Sequence, residues 1–158
     1  MSSNLQRLIQ LAEATFDFRN DPDQLAVDAA VMDRLQVIHP ATLAEENTAE
    51  GPIAWTLVWP TTKELMEAFL AGDLSERQLF EATPEKGEYQ AIYLCSALVL
   101  PEQQRMGLAK RMLVKSIEAI RANHPITDLF FWPFSKEGER LAAVVASKLC
   151  LRIHKRAI

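Results

Sequence analysis

The residues whose types and spacing could do chemistry lie at 98–109, where an apolar run meets an amphipathic helix. The run ends in Leu98-Val99-Leu100-Pro101, and Gln104-Arg105-Met106-Gly107-Leu108-Ala109 opens the helix. Backbone N–H groups at a helix start have no intrahelical partner, so they favour a phosphate or pyrophosphate. Gly107 and Ala109 would let such a ligand approach closely, and positive charge comes from Arg105, Lys110 and Arg111. The junction therefore predicts an anion site.

The apolar pattern around this junction predicts the elements that must position it. Helices are predicted over 3–18, 21–39, 104–122 and 137–149. Strands are predicted over 41–46, 53–59, 89–100 and 127–134, with a last short strand in 151–158. Two capping-box patterns, Thr61–Glu64 and Ser75–Gln78, predict short helices in an insertion at 61–82. Because strand, helix, strand and helix follow one another, we predict one domain of the α/β (α+β) class, with a parallel pair around the 104–122 helix.

Composition narrows the class of protein further. The 158 residues are 49% apolar and 24% charged, which is typical of one ordinary soluble domain and excludes a disordered, fibrous or disulfide-stapled chain. The longest apolar runs, Leu129–Phe134 and Ala142–Ala146, fall far short of the ~18–20 residues of a membrane span. The N-terminus does not read as a secretion signal. Two cysteines, Cys95 and Cys150, favour a reducing, cytoplasmic location.

Charge is divided unevenly along the chain, although the net value is only −4. The sequence has 16 acidic and 6 basic residues through Glu88, and 5 acidic and 11 basic residues from Tyr89 onward. The half from Tyr89 onward could therefore bind an anion, and the half through Glu88 could bind a cation. A chance distribution of solvated surface charge is the alternative interpretation.

Residues 98–109 resemble the signature of the GNAT superfamily of N-acetyltransferases. That signature is Arg/Gln-x-x-Gly-x-Gly/Ala after a strand that ends in alternating valines and a proline, and Gln104, Gly107 and Ala109 occupy its diagnostic positions. The similarity extends over roughly residues 50–151. It implies a GNAT-like mixed, mostly antiparallel central sheet with helices on both faces.

The resemblance also implies acetyl-CoA as cosubstrate, with no metal. In the family, loop amides bind the pyrophosphate and the preceding strand edge pairs with the pantetheine arm. These roles would fall here on Leu98, Val99 and Leu100 for the strand, and on Gln104, Arg105, Met106, Gly107, Leu108, Ala109 and Lys110 for the loop. The predicted function is therefore an acetyl-CoA-dependent N-acyltransferase, in which a primary amine attacks the thioester directly.

Several positions depart from the family's pattern. A tyrosine common in the last helix is Ala146 here, an asparagine seven residues earlier is Glu139, and the carboxylate expected on the central strand is Tyr93. Tyr93 is the predicted catalytic residue, as an acid to the thiolate or as a group that holds a water, although a tyrosine on a buried strand is more often part of the core. These losses favour a second hypothesis, a catalytically impaired acyl-CoA-binding or sensor module. A nucleotide-binding domain is less favoured, because the loop lacks the P-loop lysine and the three glycines of a dinucleotide site.

The acceptor and the partners are less constrained by the sequence. Trp55 and Trp132 lie on strands that would flank the cleft, so they are predicted to bind a small-molecule or peptide amine, with a place in the core as the alternative. Cys95 fits a small buried hydrophobe better than a nucleophile. The histidines lack metal spacing, and no nucleic-acid or membrane partner is expected. Because only one strand fits at the C-terminus, the exposed sheet edge predicts a homodimer through that segment.

Overall fold

The computed structural model describes residues 4, 6–8, 10–11, 25, 28–104, 107–133 and 135–157. The strands in this part of the chain are β1 (Leu43–Thr48), β2 (Gly51–Thr61), β3 (Ala91–Val99), β4 (Asp128–Phe131) and β5 (Arg152–Lys155). The helices are α1 (Ala29–Ile38), α2 (Lys63–Leu70), α3 (Glu76–Ala82), α4 (Leu108–Arg121) and α5 (Lys136–Leu149), with a 3₁₀ turn at Pro101–Gln103. Within the described residues, no helix has the length and apolar character needed to cross a membrane.

The five strands form one mixed sheet in the order β1-β2-β3-β4-β5. The long strands β1, β2 and β3 pair antiparallel, whereas β3 with β4 and β4 with β5 pair parallel over four residues each. The predicted α/β fold and its parallel pair around the helix now defined as α4 are confirmed. The C-terminal segment forms a strand as predicted and adds a second parallel pair. Strand β5 lies at the edge of the sheet, where a second copy could pair with it. The homodimer through this segment stays a prediction.

Helices cover both faces of the sheet, as predicted. On one face, α2 from the insertion places the ring of Phe69 5.1 Å from that of Tyr93 and 5.8 Å from that of Phe130. The crossovers β3-α4-β4 and β4-α5-β5 run in the same direction, so their right-handed sense places α4 and α5 together on the other face. The Arg121 guanidinium joins these two helices by donating to the Leu149 carbonyl at 2.9 Å.

Two helix starts differ from their predictions. The helix predicted to begin at Asp21 begins at Ala29, because the side chain of Asp28 caps it by accepting from the Val31 N–H at 2.9 Å. Its predicted first turn, and most of the predicted 3–18 helix, lie outside the described residues. Helix α4 begins at Leu108 rather than Gln104, since Gly107 is left-handed at φ +73° and a helix cannot include such a residue.

The insertion follows its predicted capping pattern closely. Ser75 and Gln78 form the expected capping box at the start of α3. Gly72, with φ +86°, makes the turn after α2. The cap of α2 is Thr62 rather than Thr61, with its hydroxyl accepting from the Leu65 N–H at 3.3 Å. The insertion therefore consists of two short capped helices that lie over the Tyr93 face of the sheet.

Candidate functional site

A cleft opens where β3 and β4 separate. The register between these strands ends at Leu94 and Phe131, but β3 continues to Val99. On its other side, β3 pairs Leu94 with Val58 and Ser96 with Leu57, so Cys95 is the extra residue of a β-bulge. A bulge bends its strand and increases the local twist, which accounts for the divergence of β3 from β4 beyond this point.

The cleft has a volume of about 700 Å³, which is large enough for a small-molecule or cofactor site. Four parts of the chain form its walls: the second half of β3, the loop and first turn of α4, the end of β4, and the first turns of α5. The lining residues are Leu94–Val99, Gln103, Gln104, Gly107–Lys110, Leu113, Phe131, Trp132, Ser135, Glu137, Gly138, Leu141 and Ala142. The wall is therefore mainly apolar, with backbone amides and a few polar side chains.

The start of α4 presents hydrogen-bond donors to this cleft. The first intrahelical bond of α4 joins the Arg111 N–H to the Gly107 carbonyl at 3.0 Å, and Gly107 has no side chain to cap the turn. The N–H groups of Leu108, Ala109 and Lys110 precede that bond, so they belong to the set that a helix leaves for an external acceptor. Together with the positive end of the helix dipole, these N–H groups are donors of the kind that bind anions at helix starts.

Gln104 holds the loop before α4 against the strand. Its side-chain amide Nε2 donates to the carbonyl of Val99 at 3.0 Å, and this bond is partly buried. This bond ties Gln104 to the end of β3, and Gln104 also lines the cleft.

A basic depression of about 230 Å³ adjoins the cleft between α4 and α5. Its lining residues are Lys110, Arg111, Val114, Lys115, Glu118 and Lys148, four of them cationic and one acidic. Lys110 also lines the cleft, so the two features lie side by side. An anion bound at the start of α4 would therefore have further positive charge beside it.

The structure places Tyr93 behind the cleft wall. Its ring is fully buried between those of Trp59, Phe69 and Phe130, at centroid distances of 4.7, 5.1 and 5.2 Å. Its hydroxyl donates to Oε2 of Glu76 at 2.6 Å. Tyr93 is absent from the lining residues, and its catalytic role stays a prediction.

Glu76 is the residue of this region that the sequence did not single out. It lies in the first turn of α3, is only 1% exposed, and accepts the Leu25 N–H at 2.8 Å through Oε1. The Cys95 thiol, which lines the cleft, has its Sγ 3.8 Å from Oε2 of Glu76. In the sequence Glu76 resembles an ordinary first-turn acid, so nothing in the local pattern marks it.

The other predicted site residues fall into three groups. Leu98, Val99, Gln104, Gly107, Leu108, Ala109, Lys110 and Trp132 line the cleft. Leu100 and Trp55 do not: the Leu100 N–H donates to the Ile53 carbonyl at 2.9 Å, and Trp55 packs against a core cluster that includes Ile53 and Leu98. The physical reason is that Trp55 belongs to β2, which lies on the side of β3 away from β4. Arg105 and Met106 lie outside the described residues.

Among the described residues, no group of three or more His, Cys, Asp or Glu side chains could hold a metal ion.

The fold is that of a mixed α/β protein with a cleft between two diverging strands. No family model and no curated protein matches the chain. A chain in the solved structure of the NatB acetyltransferase complex bound to a bisubstrate inhibitor is similar to it, with a TM-score of 0.44 and 14% sequence identity. That similarity covers 87% of this chain and 67% of the other.

Proposed function

We propose that this chain is an acetyl-CoA-dependent N-acyltransferase that moves an acetyl group to a primary amine of a small molecule or peptide. The observation that carries the proposal is the cleft between β3 and β4, with the uncapped start of α4 at one wall. A thioester cosubstrate with a pyrophosphate needs both an anion site and a narrow apolar channel for its arm. The two features adjoin here.

The cosubstrate would bind along the cleft in a defined direction. Its pyrophosphate would accept hydrogen bonds from the amides of Leu108, Ala109 and Lys110, and its remaining phosphate would lie in the basic depression. The pantetheine arm would pair with the edge of β3 at Leu98 and Val99, which extends past the end of β4. The thioester would then lie near the bulge at Cys95.

In the proposed reaction the amine nitrogen attacks the thioester carbonyl carbon. A C–N bond forms, the C–S bond breaks, and CoA leaves as a thiolate. The nitrogen must lose one proton and the thiolate must gain one. We assign both steps to Tyr93 and its hydrogen-bond partner Glu76: the Tyr93 oxygen would accept the proton of the nitrogen as its own passes to Glu76, and the reverse shift would then deliver a proton from Tyr93 to the thiolate. Holding the two reactants in line accounts for much of the rate in such a reaction.

A second candidate function is an acyl-CoA-binding module without catalysis. The specific observation in its favour is that Tyr93 is fully buried and outside the cleft lining, while Ala146, at the position of the family's tyrosine, is 2% exposed and part of the core. Both candidates need the same cosubstrate site, so binding alone does not separate them.

Thermal unfolding with acetyl-CoA tests the shared part of the two candidates, with adenosine and pyrophosphate as controls. Ligand at 100 times its Kd adds about 2.7 kcal/mol of stability, which raises Tm by a few degrees. No shift at millimolar acetyl-CoA would contradict both candidates. Release of CoA thiol with a panel of amines then separates them: turnover supports the transferase, and binding without turnover supports the module.

A further inference from the structure

Arg156 lies at the same edge of the sheet as the cleft. It directly follows β5, and its backbone N–H donates to the carbonyl of Phe131 at 3.0 Å. Phe131 ends β4 and lines the cleft, and so does the next residue, Trp132. Because β3, β4 and β5 are parallel, their carboxyl ends meet at this edge, where open sheets bind ligands.

Two aromatic rings hold the guanidinium of Arg156 in place. Its central carbon is 4.4 Å from the ring centroid of Phe69 and 5.3 Å from that of Trp132. Phe69 belongs to α2, so the insertion forms one side of this arrangement and the cleft residue Trp132 forms the other. Cation–π contact with two rings fixes the plane of the guanidinium.

The N–H groups of this guanidinium are not satisfied within the described part of the chain. Nε and Nη1 of Arg156 are both buried and have no hydrogen-bond acceptor there. No described ion pair involves Arg156 either. Buried donors on a charged group are costly to leave without acceptors, and the planar fork of arginine matches a carboxylate with two parallel hydrogen bonds.

The phosphates of the cosubstrate are poor occupants for this position. They would lie at the start of α4 and in the basic depression, on the face of the sheet that α4 and α5 cover. Arg156 contacts Phe69, which packs on Tyr93 and Phe130 on the opposite face. An anion at Arg156 would therefore be separate from the phosphates, which favours a group carried by the reacting end of the ligands.

We propose that Arg156 binds a carboxylate of the reacting molecules, carried by the acceptor amine or by the acyl group of the thioester. This inference rests on the proposed acyl-CoA site and narrows its substrate class to amino acids and related carboxylate-bearing amines, or to dicarboxylic acyl groups. The Trp132 ring would cover the carbon chain between the carboxylate and the reacting centre.

The test compares wild type with Arg156→Gln, with Arg156→Lys as the charge-retaining variant and Arg152→Gln on β5 as a matched control. One arm measures CoA release from acetyl-CoA with amino acids and with their C-terminal amides. The other arm measures the Tm shift given by succinyl-CoA and by acetyl-CoA. Loss of even one charge-assisted hydrogen bond should lower kcat/KM or affinity for the carboxylate-bearing partner by about 10- to 150-fold.

The outcomes identify the source of the carboxylate. A preference for acids over amides that Arg156→Gln removes assigns it to the acceptor. A larger shift with succinyl-CoA that the same variant removes assigns it to the acyl group. The proposal is overturned if neither preference exists in wild type, or if Arg156→Gln and Arg152→Gln behave alike.

These outcomes differ from failure of the acyl-CoA proposal itself. The Tm shift with acetyl-CoA should persist in Arg156→Gln, because its phosphates bind elsewhere. If wild type shows no shift with either thioester, the acyl-CoA site is wrong and this inference falls with it.

Discussion

The hydroxyl of Tyr93 donates a 2.6 Å hydrogen bond to the carboxyl of Glu76, joining the central strand to a helix of the insertion. Tyr93 occupies the strand position where the resemblance predicts a carboxylate. The structure therefore brings a carboxyl group to this position from α3 instead of from β3. The insertion at 61–82 therefore contributes a buried polar group directly behind the cleft wall.

The first prediction concerns this pair. Tyr93→Phe removes the donor and leaves a buried acceptor at Glu76, so we expect the free energy of unfolding to fall by about 1–3 kcal/mol. Glu76→Gln should lower the free energy of unfolding by a similar amount. Urea unfolding of both variants and of the double variant gives a coupling energy, which should be about 0.5–3 kcal/mol because the two side chains are in contact.

Activity separates a structural role for the pair from a role in proton transfer. If Tyr93 and Glu76 move a proton, Tyr93→Phe should lower kcat with little change in KM for acetyl-CoA. Glu76→Gln should alter the pH profile of kcat. Variants that lose stability but keep the wild-type kcat and pH profile would assign the pair to the core alone.

The second prediction concerns Gly107. Its φ of +73° is strained for any residue with a Cβ, so Gly107→Ala should lower stability by about 1–3 kcal/mol. The added methyl group would also stand where a phosphate approaches the start of α4, so affinity for acetyl-CoA should fall at least tenfold. Isothermal titration measures that affinity.

Gly72 provides the matched control for this substitution. Its φ is +86°, it is exposed, and a Cβ there would meet no atom within 4 Å. It lies in the turn of the insertion and does not line the cleft. Gly72→Ala should therefore lower stability by a similar amount and leave the affinity unchanged. Equal losses of affinity in the two variants would contradict an anion site at Gly107.

The third prediction concerns the basic depression. Lys148→Gln should lower affinity for acetyl-CoA up to about fivefold, since an exposed ion pair contributes ~0.2–1 kcal/mol. The loss should shrink with 3′-dephospho-acetyl-CoA and at high salt, which screens exposed charges. Lys86→Gln, in the exposed segment before β3, is the control and should change nothing. An equal loss with both forms of the cosubstrate would place the phosphate elsewhere.

The sequence predicts the elements of this fold well, because each has a local signal. Apolar spacing and caps such as Ser75 with Gln78 locate the helices, and buried runs locate β3 and β4. The loop at 104–110 is also recognisable, since a glycine and polar residues between a strand and a helix form a local pattern. These residues do line the cleft, apart from the two that lie outside the described residues.

What the sequence does not predict depends on contacts between distant segments. Glu76 and Tyr93 are 17 residues apart and meet only because α3 folds over the sheet. Arg156 contacts Phe69 and Trp132 only because β5 pairs parallel with β4. Trp55 is the converse case: its strand lies on the side of β3 away from β4, so it does not line the cleft, and its role in substrate binding stays a prediction. Register and strand order decide all three, and neither has a local signal.

The fourth prediction concerns His124, which follows α4 and packs against Tyr89 just before β3. Its ring centroid is 4.6 Å from that of Tyr89 and 6.1 Å from that of His39, and its Nδ1 is buried with no hydrogen-bond partner among the described residues. Burial lowers the pKa of the His124 imidazole, the nearby His39 lowers it further, and Glu88 opposes them. The folded protein therefore resists protonation at His124 more than the unfolded chain does.

The sign of the pH dependence follows from this difference. The unfolded chain binds the proton first as pH falls below the ordinary histidine value of about 6.5, so folded stability should decrease from there toward pH 5. Urea unfolding between pH 7.5 and 5 measures this decrease. His124→Gln removes the titrating group, so its stability should depend less on pH across this interval. If the variant and the wild type lose stability in parallel, the acid sensitivity of this protein arises at another group.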